Sequence, residues 1–355
     1  MPVIDADAHV VETEHTWDYM DPSDAKFRPI LVGPVEDKYY WMVDGKIRRP
    51  ARHPISDVVL EEAMARDTGR DVGVSQAARY MENVGARLKH MDELEIDMQV
   101  LHNSIFIEQV ADRPEAEVAV CKGYNRWMAD IWAQSEGRLP WVAVLPYMAM
   151  DEALKELRTA MQSGACGAAI RPIEGNRLPT NPYFYPVYEE ATRLNIPIVL
   201  HIGNANPANL DLVSPYSGGA AAFWRFNVPT VASCHAVIAS EIPELFPKLR
   251  FSFVEAGAQW VPYVVADLRR RRLGKTLPEN PLKEYGIYVS CETSDDLPWI
   301  LKYAGEDNLV IGTDYGHTDT SSEIEAMRNL KQKGDLSPEV IDKILYANPK
   351  TLHNL

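Results

Sequence analysis

Three apolar runs in this chain lie far apart in sequence, and each ends in a side chain that can bind a metal ion. The first is Ile4–His9 (IDADAH), the second is Ile196–His201, and the third is Asn308–Asp314. In an extended strand, residues i and i+2 point to the same face, so Asp7 and His9 are directed at one point. The carboxyl ends of parallel barrel strands share one rim. The pattern therefore predicts a parallel barrel with a metal at its carboxyl-terminal mouth.

Strand-like apolar runs alternate with helical stretches along most of the chain. The predicted strands are Val3–His9, Met98–Leu101, Trp141–Leu145, Gly167–Arg171, Ile196–Ile202, Leu249–Glu255, Tyr285–Cys291 and Leu309–Asp314. The predicted helices are Glu115–Gln134, Met150–Ser163, Pro182–Leu194, Pro229–Leu245, Ala258–Arg272, Ser294–Ala304, Ser321–Lys333 and Ser337–Ala347. Alternation implies parallel pairing with right-handed crossovers. We expect one α/β domain over residues 1–355, a (β/α)8 TIM barrel.

Residues 13–89 interrupt this alternation. The segment is rich in proline, aromatic and charged residues, and Tyr39–Lys46 has the pattern of a β-hairpin. We interpret it as an insertion after the first strand. Because loops at the carboxyl ends of barrel strands overhang the active site, the insertion is a candidate lid or dimer contact.

Charge and composition limit the classes of partner. The 355 residues carry a net charge of −15, from 51 acidic and 36 basic residues, which argues against nucleic acid or an anionic membrane surface. No apolar stretch reaches the roughly 18 residues that a membrane span needs. The 4 cysteines are scattered without a metal or disulfide spacing, so a reducing cytoplasm is expected. We expect a small-molecule substrate and a homodimer.

The strand-end residues suggest a hydrolytic site. On a barrel, Asp7, His9, His201, Glu255 and Asp314 would share one rim. Imidazole and carboxylate are the ligands of hard and borderline ions, including zinc, manganese and iron. A divalent ion lowers the pKa of water toward about 7, and Asp314 beside the ion would accept the proton as general base.

Two further histidines are candidate catalytic groups. His235 lies in a predicted helix and either supplies acid–base function or makes one structural hydrogen bond. His317 follows Asp314 by three residues and either orients that carboxylate, contacts substrate, or stabilises its loop.

Four other residues are candidate substrate contacts. Arg171 ends the fourth strand and would either clamp a substrate carboxylate or form a structural ion pair. Asn204 and Arg225 follow the fifth strand and are weaker candidates of the same kind. Trp260 would either line an apolar pocket or pack in the core.

Several segments together resemble the amidohydrolase superfamily, specifically the amidohydrolase-2 group that includes aminocarboxymuconate-semialdehyde decarboxylase and resorcylate decarboxylases. The matching segments are the opening Ile-Asp-x-Asp-x-His, Pro197–Gly203, Phe246–Phe251, Gly312–His317 and the tail Ile344–Leu355. The resemblance implies a TIM barrel with a divalent ion, usually zinc. It also implies that the first-strand pair, His201 and Asp314 hold this ion.

The departures from the group bear on the number of ions and on the chemistry. The first strand carries Asp-x-His where many members carry His-x-His, a mild change within this branch. Relatives often have a histidine at the end of strand six, where this chain has Glu255, a carboxylate that could be a ligand, a general acid–base or a bridge to a second ion. Binuclear members bridge two metals through a strand-four lysine, where this chain has Arg171, which cannot form that bridge. One ion is therefore expected, although Glu12 and Glu255 offer an alternative site for a second.

Three functions stay open from the sequence. The first is hydrolysis of an ester, thioester, lactone or amide of a small, ring-containing organic acid. The second is non-oxidative decarboxylation of an aromatic or conjugated acid, which the group resemblance favours and the missing strand-six histidine weakens. The third is a non-catalytic barrel that binds a ligand.

Overall fold

The strands fall into two sheets. The structure, a computed structural model, describes residues 2–35, 38–51, 54–70, 73–213, 219–271 and 276–355. The strands of these residues are β1 (Ile4–His9), β2 (Ile30–Val35), β3 (Lys38–Val43), β4 (Lys46–Ala51), β5 (Met98–His102), β6 (Trp141–Ala143), β7 (Ala165–Ala169), β8 (Ile198–His201), β9 (Phe251–Val254), β10 (Ile287–Cys291) and β11 (Leu309–Ile311). The larger sheet has 8 strands in the order β1-β5-β6-β7-β8-β9-β10-β11.

The order of the larger sheet is the order of the chain, as in a barrel wound from β/α units. The pairs β5–β6, β7–β8, β8–β9, β9–β10 and β10–β11 are all parallel. After β11 the chain returns to β1 through a parallel bridge between Tyr315 and Ala8. The fold is a (β/α)8 TIM barrel, which confirms the predicted fold class.

Helices fill the connections between the strands. The α-helices are Pro54–Thr68, Gln76–Arg79, Val84–Glu93, Pro114–Gln134, Met150–Met161, Tyr185–Leu194, Pro207–Val213, Gly219–Ala222, Val228–Ala239, Ile242–Leu245, Val261–Arg271, Pro281–Glu284, Leu297–Ala304, Ala326–Lys333, Pro338–Asp342 and Asn348–His353. Local sequence sets several starts: the side chains of Asn83, Asp296 and Ser337 each accept a backbone N–H of the first helical turn. None of the described helices is long and apolar enough to cross a membrane.

Shorter helical segments complete the list. The 3-10 segments are Glu14–Tyr19, Pro22–Phe27, Ile105–Ile107 and Pro182–Phe184, and the π segments are Phe223–Asn227 and Lys343–Ala347. Some predicted helices are shorter than expected. The predicted helix Pro229–Leu245 breaks at Ser240, whose backbone is extended, and the predicted helix Ser321–Lys333 begins only at Ala326.

By its contacts the chain divides into two compact units. The first unit comprises Asp7–Ala165 and Thr313–Glu325. It contains the antiparallel β2–β3–β4 sheet, which lies inside the predicted insertion. The hairpin predicted at Tyr39–Lys46 is present, and Asp44 and Gly45 turn the chain with φ of 53° and 75°. The lid or dimer role of this insertion stays a prediction.

The core of the first unit is aromatic. Trp17, Tyr124 and Trp127 are buried. Trp17 meets Trp41 of β3 edge-to-face at 5.9 Å between ring centroids, and Tyr124 meets Trp127 in the same manner at 6.0 Å. These contacts anchor the 3-10 segment that follows β1 and the hairpin beside it.

The second unit comprises Met1–Ala6, Cys166–Gly312 and Ala326–Leu355. Its strands β8, β9 and β10 pair in parallel, and Phe251 of β9 lies opposite Ile198 and Ile287. Buried apolar residues on these strands form the core of the unit. These short runs are buried at every position and contain β-branched and aromatic residues, which explains why they form strands of a parallel sheet.

Candidate metal centre

Asp7, His9 and Asp314 lie side by side where β1 and β11 end. The N–H of Asp314 donates to the carbonyl of Asp7 at 2.9 Å, and the N–H of His9 donates to the carbonyl of Tyr315 at 2.8 Å. His9 Nε2 lies 3.4 Å from Asp7 Oδ1 and 3.3 Å from Asp314 Oδ1. All three side chains are buried. The structure therefore brings Asp7, His9 and Asp314 together, and their role as metal ligands stays a prediction.

The environment of His9 Nδ1 indicates whether the proton of a neutral ring lies on Nδ1 or on Nε2. Nδ1 lies 3.0 Å from the carbonyl oxygen of Asn103. A carbonyl only accepts hydrogen bonds, so Nδ1 carries the proton. Nε2 then turns its lone pair toward two carboxylate oxygens, an arrangement that is repulsive unless a second proton or a cation lies there. This buried set of nitrogen and oxygen donors fits a divalent ion.

Asp314 is held in a strained backbone conformation. Its φ is 50°, in the left-handed region that costs a non-glycine residue about 1–3 kcal/mol. The hydroxyl of Ser322 donates to Asp314 Oδ2 at 2.7 Å, which leaves Oδ1 directed at His9. Strain of this kind clusters at functional sites, because the surrounding structure must hold it in place.

His317 extends the cluster through a chain of hydrogen bonds. The hydroxyl of Ser104 donates to the carbonyl of Val10 at 2.8 Å, so its oxygen accepts from His317 Nε2, also at 2.8 Å. His317 Nδ1 lies 2.8 Å from Asp314 Oδ1. His317 Nε2 therefore donates to Ser104, and the Nδ1 edge of the ring faces Asp314 Oδ1. The ring also stacks on His9, with centroids 3.7 Å apart.

These contacts define a buried candidate metal site. His9, Asp314 and His317 each offer a ligand atom, and those atoms lie within 4.8 Å of one another. His317 therefore contacts the carboxylate that it was predicted to orient. Whether it also contacts substrate stays a prediction.

Glu12, predicted as a ligand of a second ion, has both carboxylate oxygens engaged by the backbone. The N–H of Ser104 donates to Oε1 at 3.0 Å, and the N–H of Ile105 donates to Oε2 at 3.1 Å. Glu12 thus stabilises the start of the 3-10 segment Ile105–Ile107. It belongs to neither candidate ligand group found among the described residues, and its role at a second ion stays a prediction.

In the second unit, His201 and Glu255 repeat the arrangement seen at His9. His201 Nδ1 lies 3.2 Å from the carbonyl oxygen of Ile202, and His201 Nε2 lies 2.8 Å from Glu255 Oε2. Both side chains are buried. Glu255 follows β9 with a φ of 65°, so it shares with Asp314 a left-handed backbone at a strand end.

The loop that begins at Glu255 is fixed by Asp295, which follows β10. Asp295 Oδ2 accepts the N–H of Ala258 and the N–H of Glu292, both at 2.9 Å. Burial raises the pKa of Asp295, partly offset by its backbone hydrogen bonds. The loop geometry that directs Glu255 toward His201 is therefore built by the neighbouring strand.

The chain matches the amidohydrolase family over residues 4–355. The protein belongs to the amidohydrolase family. This confirms the resemblance to the amidohydrolase-2 group and makes the chain an amidohydrolase-superfamily enzyme. No curated protein matches the chain in sequence.

Solved structures similar to this amidohydrolase share its fold at low sequence identity. The amidohydrolase map2389c from Mycobacterium avium subsp. paratuberculosis K-10 is 16% identical, covers 100% of this chain and 98% of its own, and has a TM-score of 0.82. Dihydroxybenzoic acid decarboxylase from Polaromonas sp. JS666 was solved with bound manganese and the inhibitor 2-nitroresorcinol. It is 18% identical, the match covers 100% of this chain and 97% of the decarboxylase chain, and the TM-score is 0.68. The 5-carboxyvanillate decarboxylase LigW from Sphingomonas paucimobilis is 16% identical. The match covers 100% of this chain and 99% of the LigW chain, with a TM-score of 0.67.

Two predicted substrate contacts of the amidohydrolase are engaged within its second unit. Arg171 Nε and Nη2 donate to the two carboxylate oxygens of Glu174 at 2.7 and 2.6 Å. This bidentate ion pair neutralises the positive charge with which Arg171 would otherwise bind a substrate carboxylate. Asn204 Nδ2 donates to Asn209 Oδ1 at 2.6 Å and to the carbonyl of Arg225 at 3.2 Å, so Asn204 organises the loop after β8.

Arg225 and Trp260 are the other two predicted substrate contacts. Arg225 lies in the π segment Phe223–Asn227, and its Nε is buried without a hydrogen-bond partner among the described residues. Single-turn π segments inside helices are frequent at functional sites. Trp260 Nε1 donates to the carbonyl of Gly257 at 2.7 Å, which braces the loop after Glu255. Substrate contact by either residue stays a prediction.

His235, predicted as an acid–base group, faces a neighbouring helix of the amidohydrolase. Its Nε2 lies 3.1 Å from Asp267 Oδ2. Arg271 and Arg270 beside Asp267 hold the pKa of that carboxyl well below its usual range. This network joins the helices Val228–Ala239 and Val261–Arg271, which favours the structural alternative for His235.

Three supporting residues of the amidohydrolase were not predicted from the sequence. Ser104 and Asp295 follow the ends of β5 and β10 by two and four residues, which is the zone where barrel loops carry function. That position is the only sequence signal they offer. Ser322 lies in the loop after Asp314, and no local pattern distinguishes it from other loop serines.

Proposed function

We propose that this amidohydrolase is a metal-dependent hydrolase of an ester, thioester, lactone or amide of a small, ring-containing organic acid. Asp7 and His9 of the first unit, with His201 and Glu255 of the second, would hold one divalent ion, with Asp314 beside it. When bound, the ion lowers the pKa of water to about 7 and polarises the carbonyl of the substrate. The observation that carries the proposal is the position of His9 Nε2, which lies 3.4 Å from Asp7 Oδ1 and 3.3 Å from Asp314 Oδ1 while Nδ1 faces a backbone carbonyl.

Two features support a single shared ion. His9 and His201 have the same pattern of contacts. In each ring, Nδ1 faces a backbone carbonyl and Nε2 faces a carboxylate. This is the usual way in which a protein fixes the tautomer of a metal-binding histidine. In addition, β1, β8 and β11 belong to one parallel sheet, and the carboxyl ends of parallel barrel strands share a rim.

Different residues around the ion would accept the proton, orient the acceptor and bind the substrate. Ser322 holds Asp314 Oδ2, so Oδ1 is the oxygen that accepts a proton from the attacking water. His317 Nδ1 lies 2.8 Å from this same oxygen, so the His317 ring orients the Asp314 carboxylate. Arg225 is the favoured contact for the acid group of the substrate, because Glu174 already engages Arg171.

The identity of the ion is a separate proposal. Nitrogen and oxygen ligands suit zinc, manganese and iron, and we expect zinc. The decarboxylase from Polaromonas binds manganese, which makes manganese the first alternative. Elemental analysis of the purified protein distinguishes these ions. One ion per chain is the expected result, and two per chain would favour the second-ion site at Glu12 and Glu255.

Decarboxylation is the second candidate function, favoured by two observations. Among the similar solved structures are two decarboxylases of hydroxylated aromatic acids. In addition, His317 Nε2 lies 2.8 Å from the Ser104 hydroxyl and Nδ1 lies 2.8 Å from Asp314 Oδ1, which places an imidazole at the site that could carry a proton to a substrate carbon as carbon dioxide leaves.

A paired substrate panel separates the two reactions. We expect the metal-loaded enzyme to hydrolyse model thioesters or lactones, to lose this activity with a chelator, and to regain it with a divalent ion. Each compound is assayed for acid release and for carbon dioxide on the same preparation. Release of carbon dioxide from hydroxybenzoates, with no hydrolysis of any ester, would establish the lyase instead.

The variant Glu255→Gln tests whether Glu255 acts on protons or only contacts the ion. Gln keeps the size of the side chain but cannot exchange a proton. If Glu255 is an acid–base group, we expect a turnover loss of about 10²–10⁴-fold with metal content retained. Metal is measured by elemental analysis and turnover on the same sample. Unchanged turnover would exclude the acid–base role.

A further inference from the structure

Arg87 is a fully buried arginine next to the candidate metal ligands of the first unit. It lies on the helix Val84–Glu93 and is 0% exposed. Its Nη1 donates to the carbonyl oxygen of His9 at 3.2 Å. Its Nε donates to Gln99 Oε1 of β5 at 2.6 Å. The guanidinium therefore bonds to the residue that presents an imidazole to Asp7 and Asp314.

The same guanidinium packs on the residue that follows Asp314. The central carbon of Arg87 lies 3.4 Å from the centroid of the Tyr315 ring, a close cation–π contact. One turn further along the helix, His90 Nδ1 lies 2.8 Å from the Tyr315 hydroxyl. One helix thus holds Tyr315 by its ring face and by its hydroxyl.

Tyr315 is also the backbone partner of His9, whose N–H donates to its carbonyl at 2.8 Å. Arg87 therefore contacts both strand ends, at His9 on β1 and at Tyr315 after β11. The guanidinium donates to the backbone carbonyls of His9 and Ala78 and to Gln99 of β5, and it packs on the Tyr315 ring, so it ties its helix to both strand ends.

We infer that Arg87 is a positioning residue of the metal centre, which fixes His9 against Asp314 and so sets the affinity for the ion. This inference rests on the proposed function, because it assumes that an ion lies between these side chains. Lysine carries the same charge but lacks the planar fork, so it cannot bond His9 and Gln99 while covering the Tyr315 ring.

The test is the affinity of Arg87→Lys for Zn²⁺ and Mn²⁺, measured by competition with a chromophoric chelator. Supporting partners of metal ligands typically contribute 10–100-fold in affinity, and we expect a loss of about that size. Arg138→Lys is the matched control. Arg138 also bonds two backbone carbonyls, those of Ile96 and Asp97, and pairs with Asp92. The variant Arg138→Lys should lower the melting temperature of the protein without changing its metal affinity.

A second pair of variants serves if Arg87→Lys does not fold. Tyr315→Phe keeps the ring face that Arg87 covers and should bind metal like the wild type. Tyr315→Leu removes the ring and should bind roughly tenfold more weakly. Equal affinity in Tyr315→Phe and Tyr315→Leu would overturn the inference, as would wild-type affinity in a folded Arg87→Lys. If the wild type itself binds no ion, the proposed function fails instead.

Discussion

Replacing His201 with alanine should remove both the bound metal and the turnover of the enzyme. His201 contributes one of the two imidazoles of the proposed site, and its Nε2 lies 2.8 Å from Glu255. Without it, the ion loses a direct ligand, and this loss should exceed the 10–100-fold effect of a supporting partner. Metal per chain is measured by elemental analysis after gel filtration, and turnover is measured on the same fractions.

The same substitution at an exposed histidine is the control. His15 lies in the first unit with its side chain 62% exposed and pairs with Asp18 at 3.0 Å. Surface pairs of this kind contribute little, so His15→Ala should keep full metal and full turnover. Full metal retention in His201→Ala would refute the ligand assignment and, with it, the view that the two histidines share an ion.

The barrel could be predicted because its strands are buried on both faces. Runs such as Ile198–His201 and Leu309–Ile311 are short, almost wholly apolar and buried along their whole length. In a parallel barrel this gives a continuous apolar signal. The order of the strands then follows from alternation with helices, because right-handed crossovers place consecutive strands next to each other.

The helix Val84–Glu93 was missed for a reason that also concerns the site. Its buried residues are Val84, Arg87 and Met91. A hydrophobic pattern counts an arginine as a solvent-exposed residue, so this helix appeared polar and was assigned to the insertion. The last predicted helix, Ser337–Ala347, ends before a further helix that the structure shows at Asn348–His353. Pro349 lies in the first turn of this helix, where proline is well tolerated.

The candidate ligands were accessible from the sequence because each ends an apolar run. The residues that orient these ligands could not be predicted, because their contacts join segments that are distant in the sequence. The hydrogen bond between Ser104 and His317 joins residues that are 213 positions apart. The left-handed φ of Glu255 and Asp314 was equally hidden, because neither residue type favours that conformation as glycine does. Sequence thus identifies which groups meet, and structure identifies what orients them.

The variant Asp314→Asn should lower turnover by about 10²–10⁴-fold while the protein still binds metal. Asparagine fills the same space and can accept the hydrogen bond from Ser322, but it cannot take a proton from water. The acid limb of the pH–rate profile should also disappear, because in the wild type it reports protonation of this carboxylate. Both effects are measured as kcat across pH, with metal content determined in parallel.

Ser322→Ala separates the charge of Asp314 from its orientation. This variant removes the 2.7 Å hydrogen bond to Oδ2 but leaves the carboxylate and its contacts with His9 and His317. One lost hydrogen bond to a charged group corresponds to about 1.5–3 kcal/mol, so its effect should be smaller than that of Asp314→Asn, with the acid limb retained. If Asp314→Asn loses its metal as His201→Ala should, then Asp314 is a ligand, and the proton acceptor must be Glu255.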